Sequence, residues 1–355
     1  MLQKNVMRDS RKKWMQLAAI GIIIILSSLT YSMMFYGISG IEEPTESYLE
    51  DYNQEDFSVE MLNTVTEQEA QDPEIANVLS EGSFSLSDIK KTDTELFMRL
   101  MDNRIKAFEQ QIPETNLELR QYKVAYFDWN GNSHTALIAK DAEQINRSFI
   151  EQGRKPSNIS ELALNKIYAE KNNIEIGNSF VLGGEEYTVT GFVLFPDYTL
   201  PVFDDSFNFD AALKPLVLLS DSAYEQLNAQ ERFRLAGSTL DGSAIDTAFD
   251  KEQLPFINQI LATENTTRSG AIYRKLDEGK TMSLGLSIFI AAIAVIIVSI
   301  MIFNLLHAER SQIGILKALG YTGRKSLFLT SSQYPGSLSS CWLSAICWAG
   351  LLLNR

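Results

Sequence analysis

The sequence predicts α-helical membrane segments flanking a large α+β extracytoplasmic domain, and three observations predict it. Three windows carry no charged residue, 14–41, 281–308 and 326–354, and each exceeds the ~20 residues that a bilayer core requires. Charge is also sorted along the chain. Residues before Trp14 sum to +4 and residues after Leu306 to +4, so a whole-chain charge of −14 leaves −22 between them. Lys and Arg beside membrane ends resist translocation, which puts both basic flanks inside and the acidic middle outside. Finally, that middle interleaves strand-like alternation with helix-like spacing, the pattern of an α+β domain.

Taken in order, residues 1–13 form a cytoplasmic basic tail, with Lys4, Arg8, Arg11, Lys12 and Lys13 against Asp9. The first transmembrane helix covers 14–37. Its apolar run starts at Leu17 and extends through Met33, Met34, Phe35 and Tyr36. Trp14 and Tyr36 stand near its ends, where aromatic belts form. The run is too long for a typical signal-peptide core and no clear small-x-small cleavage site follows, which favours a retained helix.

The extracytoplasmic domain covers 38–280. Residues 42–93 are acidic and lack a strong period, so they are expected to be loosely structured, with one strand near 57–61. Leu96, Phe97, Leu100, Met101, Ile105 and Phe108 recur at helical spacing and predict an amphipathic helix over 95–111. Alternation from Leu117 to Tyr126 predicts a strand. Asn130-Gly131 supplies the positive-φ pair of a tight hairpin, and a second strand follows at 134–139. Helices are expected near 142–152 and 160–172, the latter with Ser160 as N-cap. A second hairpin spans Gly183-Gly184, joining strands at 180–182 and 187–194. A strand at 216–219, a helix at 221–228 and a strand near 232–236 complete the domain.

The second transmembrane helix covers 281–306 and is the cleanest apolar run. A cytoplasmic segment, 307–325, follows. In it Ile313, Leu316 and Leu319 share a helical face and Gly320 sits at a C-cap position. Residues 326–355 are a poor or truncated third transmembrane segment. Serines and Pro335-Gly336 crowd its first half, and only 341–353 is densely apolar.

Several chemistries are disfavoured. The two cysteines, Cys341 and Cys347, lie outside the acidic region, so that region must fold on its core without disulfides. Its acidity argues against nucleic acid as a partner. Gly279-Lys280-Thr281 mimics the end of a phosphate-binding loop, but Arg274 occupies the position of the first glycine. The two histidines, His134 and His307, fall on opposite sides of the membrane, which disfavours a His-based metal site or triad. Asn146, Asn158 and Asn265 each open a glycosylation sequon, a permissive pattern. No catalytic residue, metal or cofactor is expected.

One run is more specific. Glu309-Arg310, followed by Ile313-Gly314-Ile315-Leu316-Lys317-Ala318-Leu319-Gly320, resembles the signature after the second membrane helix of FtsX/MacB-type ABC transporter permeases. A second stretch, Glu161-Leu-Ala-Leu through Ile176-Gly177-Asn178 to Tyr187-Thr-Val-Thr-Gly191, is similar to the family's MacB-like periplasmic core domain, with Asn178 where aspartate is common. The order of parts also matches, up to about Lys325. Beyond it, family members continue with at least two well-formed helices.

The resemblance implies a permease subunit in the bacterial inner or plasma membrane, multi-pass, with its N-terminus cytoplasmic. It implies ATP hydrolysis by a separate ABC ATP-binding subunit, so the chain itself is not an enzyme. The implied partners are that subunit, a second permease subunit or domain, and the lipid bilayer. Glu309, Arg310 and Ile313–Gly320 would be the coupling residues. The cargo class would be a peptide, antibiotic, lipid or lipoprotein, for export or extraction. An alternative from the same family is a mechanotransmission or signalling subunit that regulates an external hydrolase or sensor partner without transport.

Overall fold

Two long helices bracket the described chain, α1 (Trp14–Asp51) and α7 (Gly270–Ala308). In this computed structural model, residues 14–80, 82, 85–203, 210–239, 253–308 and 318 are described. The chain divides into two units, Met1–Gly40 with Glu278–Arg355, and Ile41–Asp277.

In the first unit, α1 exposes Ile22, Ile25, Leu26, Leu29 and Met33, and α7 exposes Ile288, Phe289, Val295, Ile296, Ile300 and Phe303. Among the described residues one stretch, Gly270–Ile297 of α7, is long and apolar enough to cross a membrane by length and composition. The two helices touch where Gly279 packs at Ile38. Gly279-Lys280-Thr281 therefore lies inside a helix that opened at Gly270, and no phosphate-binding loop precedes it.

The second unit is a large mixed α/β sheet domain. Its strands are β1 (Phe57–Met61), β2 (Thr115–Trp129), β3 (Asn132–Ala139), β4 (Phe149–Gly153), β5 (Glu161–Leu164), β6 (Ser179–Leu182), β7 (Glu185–Leu194), β8 (Leu216–Leu219), β9 (Gln230–Thr239) and β10 (Ile257–Ala262). The sheet order is β10-β1-β9-β2-β3-β8-β5-β7-β4, with β6 on β7. The β3–β8 and β5–β7 pairs are parallel and the others antiparallel. β5 and β8 are buried along their whole length; β8 is an unbroken apolar run, and β5 is apolar after its first residue, Glu161.

Helices cover one face. α5 (Lys166–Lys171) and α6 (Asp221–Gln226) bring Tyr168 and Tyr224 onto Leu162, Leu164, Val217 and Leu219. α2 (Pro73–Ser80), α3 (Leu86–Thr92) and α4 (Thr94–Gln111) bring Ile75, Ile89, Phe97 and Leu100 against Phe233. On the opposite face, Ala163, Leu137, Leu216 and Leu218 are covered by Phe195, Tyr198 and Phe203 from the segment after β7. Burying each such large apolar side chain contributes roughly 1.5–3 kcal/mol over leaving it exposed.

Both expected hairpins form. Asn130 and Gly131 have φ of 50° and 79°, and Gly183 and Gly184 have 62° and 87°. The amphipathic helix over 95–111 is α4, whose N-cap Asp93 accepts from Leu96 N–H.

Four expectations fail. Residues 42–93 are not loosely structured: α1 runs to Asp51, and β1, a 3₁₀ turn at Glu69–Gln71, α2 and α3 follow. These pieces are too short to show a period and are fixed by tertiary contacts. Arg104 of α4, fully buried, binds the Glu69 carboxylate at 2.7 Å and the Thr64 carbonyl at 3.0 Å. No helix spans 142–152. The Glu118 carboxylate takes the N–H groups of Glu143, Gln144 and Ile145, Asn146 turns at a φ of 61°, and β4 begins at Phe149. Residues 160–172 split into β5 and the short α5, whose N-cap position is Asn165 and not Ser160. The helix at 221–228 is shorter, ending at Gln226, and β10 was not foreseen.

Candidate functional site

Of the ten predicted coupling residues, only Ala318 is described, as helical and exposed. Glu309, Arg310, Ile313, Gly314, Ile315, Leu316, Lys317, Leu319 and Gly320 lie outside the described residues, as do 1–13, 326–355 and both cysteines. The functional geometry that can be built from the described chain lies in Ile41–Asp277, where the end of α1 and the start of α7 are anchored.

α1 stops at Asp51 and the chain turns at Asn53, which has a φ of 51°. The loop from Asp141 to Ser148 closes on this turn. Asn146 N–H donates to the Asn53 carbonyl at 2.7 Å and Arg147 N–H to the Tyr52 carbonyl at 3.0 Å. Tyr48 of α1 and Tyr52, just past its end, cluster with Phe149 of β4, with centroids 5.0–5.9 Å apart. The chain then places Glu55 in the interior, 1% exposed.

Glu55 joins the two helix ends. Its Oε2 accepts from Asn146 Nδ2 at 2.9 Å, and its Oε1 pairs with Arg268, two residues before α7. Its own N–H donates to Asn146 Oδ1 at 2.9 Å, and its carbonyl accepts from Thr263 Oγ1 at 2.6 Å. Asn146 is thus fully enclosed, which explains why its sequon carries no surface meaning.

The network continues into the sheet. Ser269 Oγ donates to the Asp197 carbonyl at 2.7 Å, and Thr199 Oγ1 donates to the Arg268 carbonyl at 2.9 Å. The Asp197 carboxylate pairs with Arg234 of β9 and stands 3.6 Å from Arg120 of β2. Arg234 also donates to the Tyr198 hydroxyl at 3.0 Å. Burial works to lower the Arg234 pKa, but Tyr198, Glu55 and Asp197 outweigh it and hold the guanidinium well above its ordinary value. Removing one partner from such a buried set leaves an uncompensated charge and costs about 3–5 kcal/mol. The arrangement is therefore a stiff tie. It links the turn that follows α1, the residues just before α7 and two central strands through buried and half-buried hydrogen bonds and ion pairs.

His134 serves the core elsewhere. Its Nδ1 meets the Tyr168 hydroxyl at 2.9 Å, and it is 1% exposed among Phe127, Tyr168 and Phe180. Among the described residues no group of three or more His, Cys, Asp or Glu could hold a metal. The second stretch carrying the resemblance comes together in space: β5 pairs with β7, Leu162 opposite Val189 and Glu161 opposite Thr188. Glu161 is gripped by Arg154 at 2.6 Å and 2.8 Å.

None of Glu55, Asp197, Arg120, Arg234 or Arg268 was singled out from the sequence. One signal was available. Arg120 shares the strand parity of Tyr122 and Val124, so an arginine stands where the alternation wants an inward apolar residue. No protein-family model matches the chain, and no curated protein matches it.

Proposed function

We propose that this chain is the membrane subunit of an ABC-type transporter, passing the motion of a separate ATPase to an extracytoplasmic domain formed by Ile41–Asp277. One observation carries the reading: Glu309-Arg310 and the Ile313–Gly320 run follow directly on the apolar helix α7. The charge sorting supports the topology, with α1 and α7 both crossing the bilayer and the N-terminus and 307–325 inside. The exposed apolar side chains along both helices suit lipid.

In this scheme the ATPases push on Ile313, Leu316 and Leu319, and the push travels along α7. The Glu55–Arg268 pair passes it to α1, and Ser269 and Asp197 pass it to β2 and β9. A second permease subunit or domain completes the machine. The cargo is taken at the outer membrane face and belongs to the peptide, antibiotic, lipid or lipoprotein class.

The test is co-purification of the ATP-binding subunit with variants of the full chain. Leu316→Asp would bury an unpaired charge in the docking face and abolish association. Lys317→Ala, a rim charge, would change it little. Equal recovery of the ATPase with Leu316→Asp and with the parent would refute the coupling assignment.

A further inference from the structure

The network at the helix junctions is balanced in charge but not in hydrogen bonds. Glu55, Asp197 and the part-exposed Glu60 match Arg120, Arg234 and Arg268 in number, so no further ion is called for. One ion pair is nonetheless half made. Asp197 Oδ2 meets Arg234 Nη2 and stands 3.6 Å from Arg120 Nη2, so a single carboxylate oxygen serves both arginines. The other carboxylate oxygen, Asp197 Oδ1, and the other donor of a forked pair, Arg234 Nε, are buried and meet no partner among the described residues. Leaving a buried donor and a buried acceptor unsatisfied is costly.

A small pocket lies against this pair, on the sheet face that the segment after β7 covers. Asp197, Arg234 and Arg120 line its polar side, and Leu137, Ala139 and Phe195 its apolar side. Its volume, about 10 Å³, is the least that holds one water molecule, and a buried water also needs at least two polar partners. The residues that carry the two unpaired atoms both line the pocket, and they offer one acceptor and one donor.

We propose that this pocket binds one structural water molecule, which donates to Asp197 Oδ1 and accepts from Arg234 Nε and so completes the forked pair through solvent. Size and charge both select it. The pocket has room for one small molecule, the ion set is already neutral, the bare carboxylate oxygen would repel an anion, and the two guanidinium groups would repel a cation. The water is then a working part of the tie between the sheet and α7. It fixes the second oxygen of Asp197 to β9, and the Asp197 carbonyl accepts from Ser269, the residue before α7. The site does not depend on any coupling to an ATPase.

The test compares two variants of the pocket wall in the full-length chain in detergent, with melting followed by tryptophan fluorescence. Ala139 is buried on the apolar side. Ala139→Val and Ala139→Thr add nearly the same volume there, so any overpacking is common to both. Each displaces the water, but only threonine offers a hydroxyl in its place. Ala139→Thr should therefore melt about 2–4 °C above Ala139→Val, the shift that one buried hydrogen bond gives a domain of this size. If Arg234 Nε instead closes directly on Asp197 Oδ1, the added hydroxyl finds no partner, and Ala139→Val melts as high or higher. That result would overturn the site. Should neither variant fold, crystals of the parent that diffract well enough to show ordered solvent decide the matter. One rounded peak within hydrogen-bond distance of both Asp197 Oδ1 and Arg234 Nε supports the proposal, and a direct contact between those two atoms with no peak overturns it.

Discussion

Arg120 and Arg234 are direct cross-strand partners in β2 and β9, both buried, and one carboxylate, Asp197, serves them both. Like charges opposite each other destabilise a sheet, so this rung is held by a residue from neither strand. Asp197 comes from the segment after β7, and its backbone carbonyl accepts from Ser269, the residue before α7. The centre of the sheet and the root of a long helix thus depend on the same residue.

Asp197→Asn should cost about 3–5 kcal/mol, the penalty for breaking a buried ion pair by removing one partner. Replacing the arginines as well, in Arg120→Met/Arg234→Met/Asp197→Asn, should recover part of that loss, because apolar residues of similar volume need no counter-charge. Chemical denaturation of both variants checks this. A single Asp197→Asn variant as stable as the parent would show that the rung does not depend on the carboxylate.

Glu55→Gln should loosen both helix anchors while sparing the centre of the domain. The Glu55 carboxylate holds Asn146 and Arg268, but it makes no contact with β5 or β8 among the contacts described. Native-state hydrogen exchange should speed up at Asn146, Arg147 and 263–269 and stay unchanged in Leu162–Leu164 and Leu216–Leu219. Uniform acceleration across all of them would mean that Glu55 contributes only to global stability.

The domain should weaken on mild acidification through His134. Burial lowers its pKa, outweighing the Trp129 carbonyl and Asp128, which act the other way. The unfolded chain therefore takes up a proton first, at about pH 6.5. Stability is full above that value and falls as the pH drops below it, until the folded form is protonated too. The carboxylates act in a lower window. Burial raises the Glu69 carboxyl, but Arg104 and Thr66 more than offset this and hold it below its ordinary value. Between pH 7 and 5.5 the parent should lose stability and His134→Gln should not. Equal slopes in the two would remove His134 as the cause.

The hairpins were legible because their turns need particular residues. Asn130-Gly131 and Gly183-Gly184 declare themselves through the positive φ that only such residues adopt easily. The strand at 161–164 was misread as helix because four buried residues, Glu-Leu-Ala-Leu, show no period that separates strand from helix. The ion network was illegible for a different reason. Glu55 and Arg268 are 213 positions apart, and pairing at that distance follows from the sheet order, which local patterns do not encode. Only Arg120, at an inward parity of β2, left a trace.

Topology decides whether any of this couples to an ATPase. The most direct measurement places single cysteines at Asn132, in the hairpin of the sheet domain, and at Ser311, in the segment after α7, in a chain whose Cys341 and Cys347 are replaced. Intact cells are then treated with a membrane-impermeant thiol reagent. The account predicts labelling at Asn132 and none at Ser311 until the cells are opened. Labelling at Ser311 but not at Asn132 would contradict it.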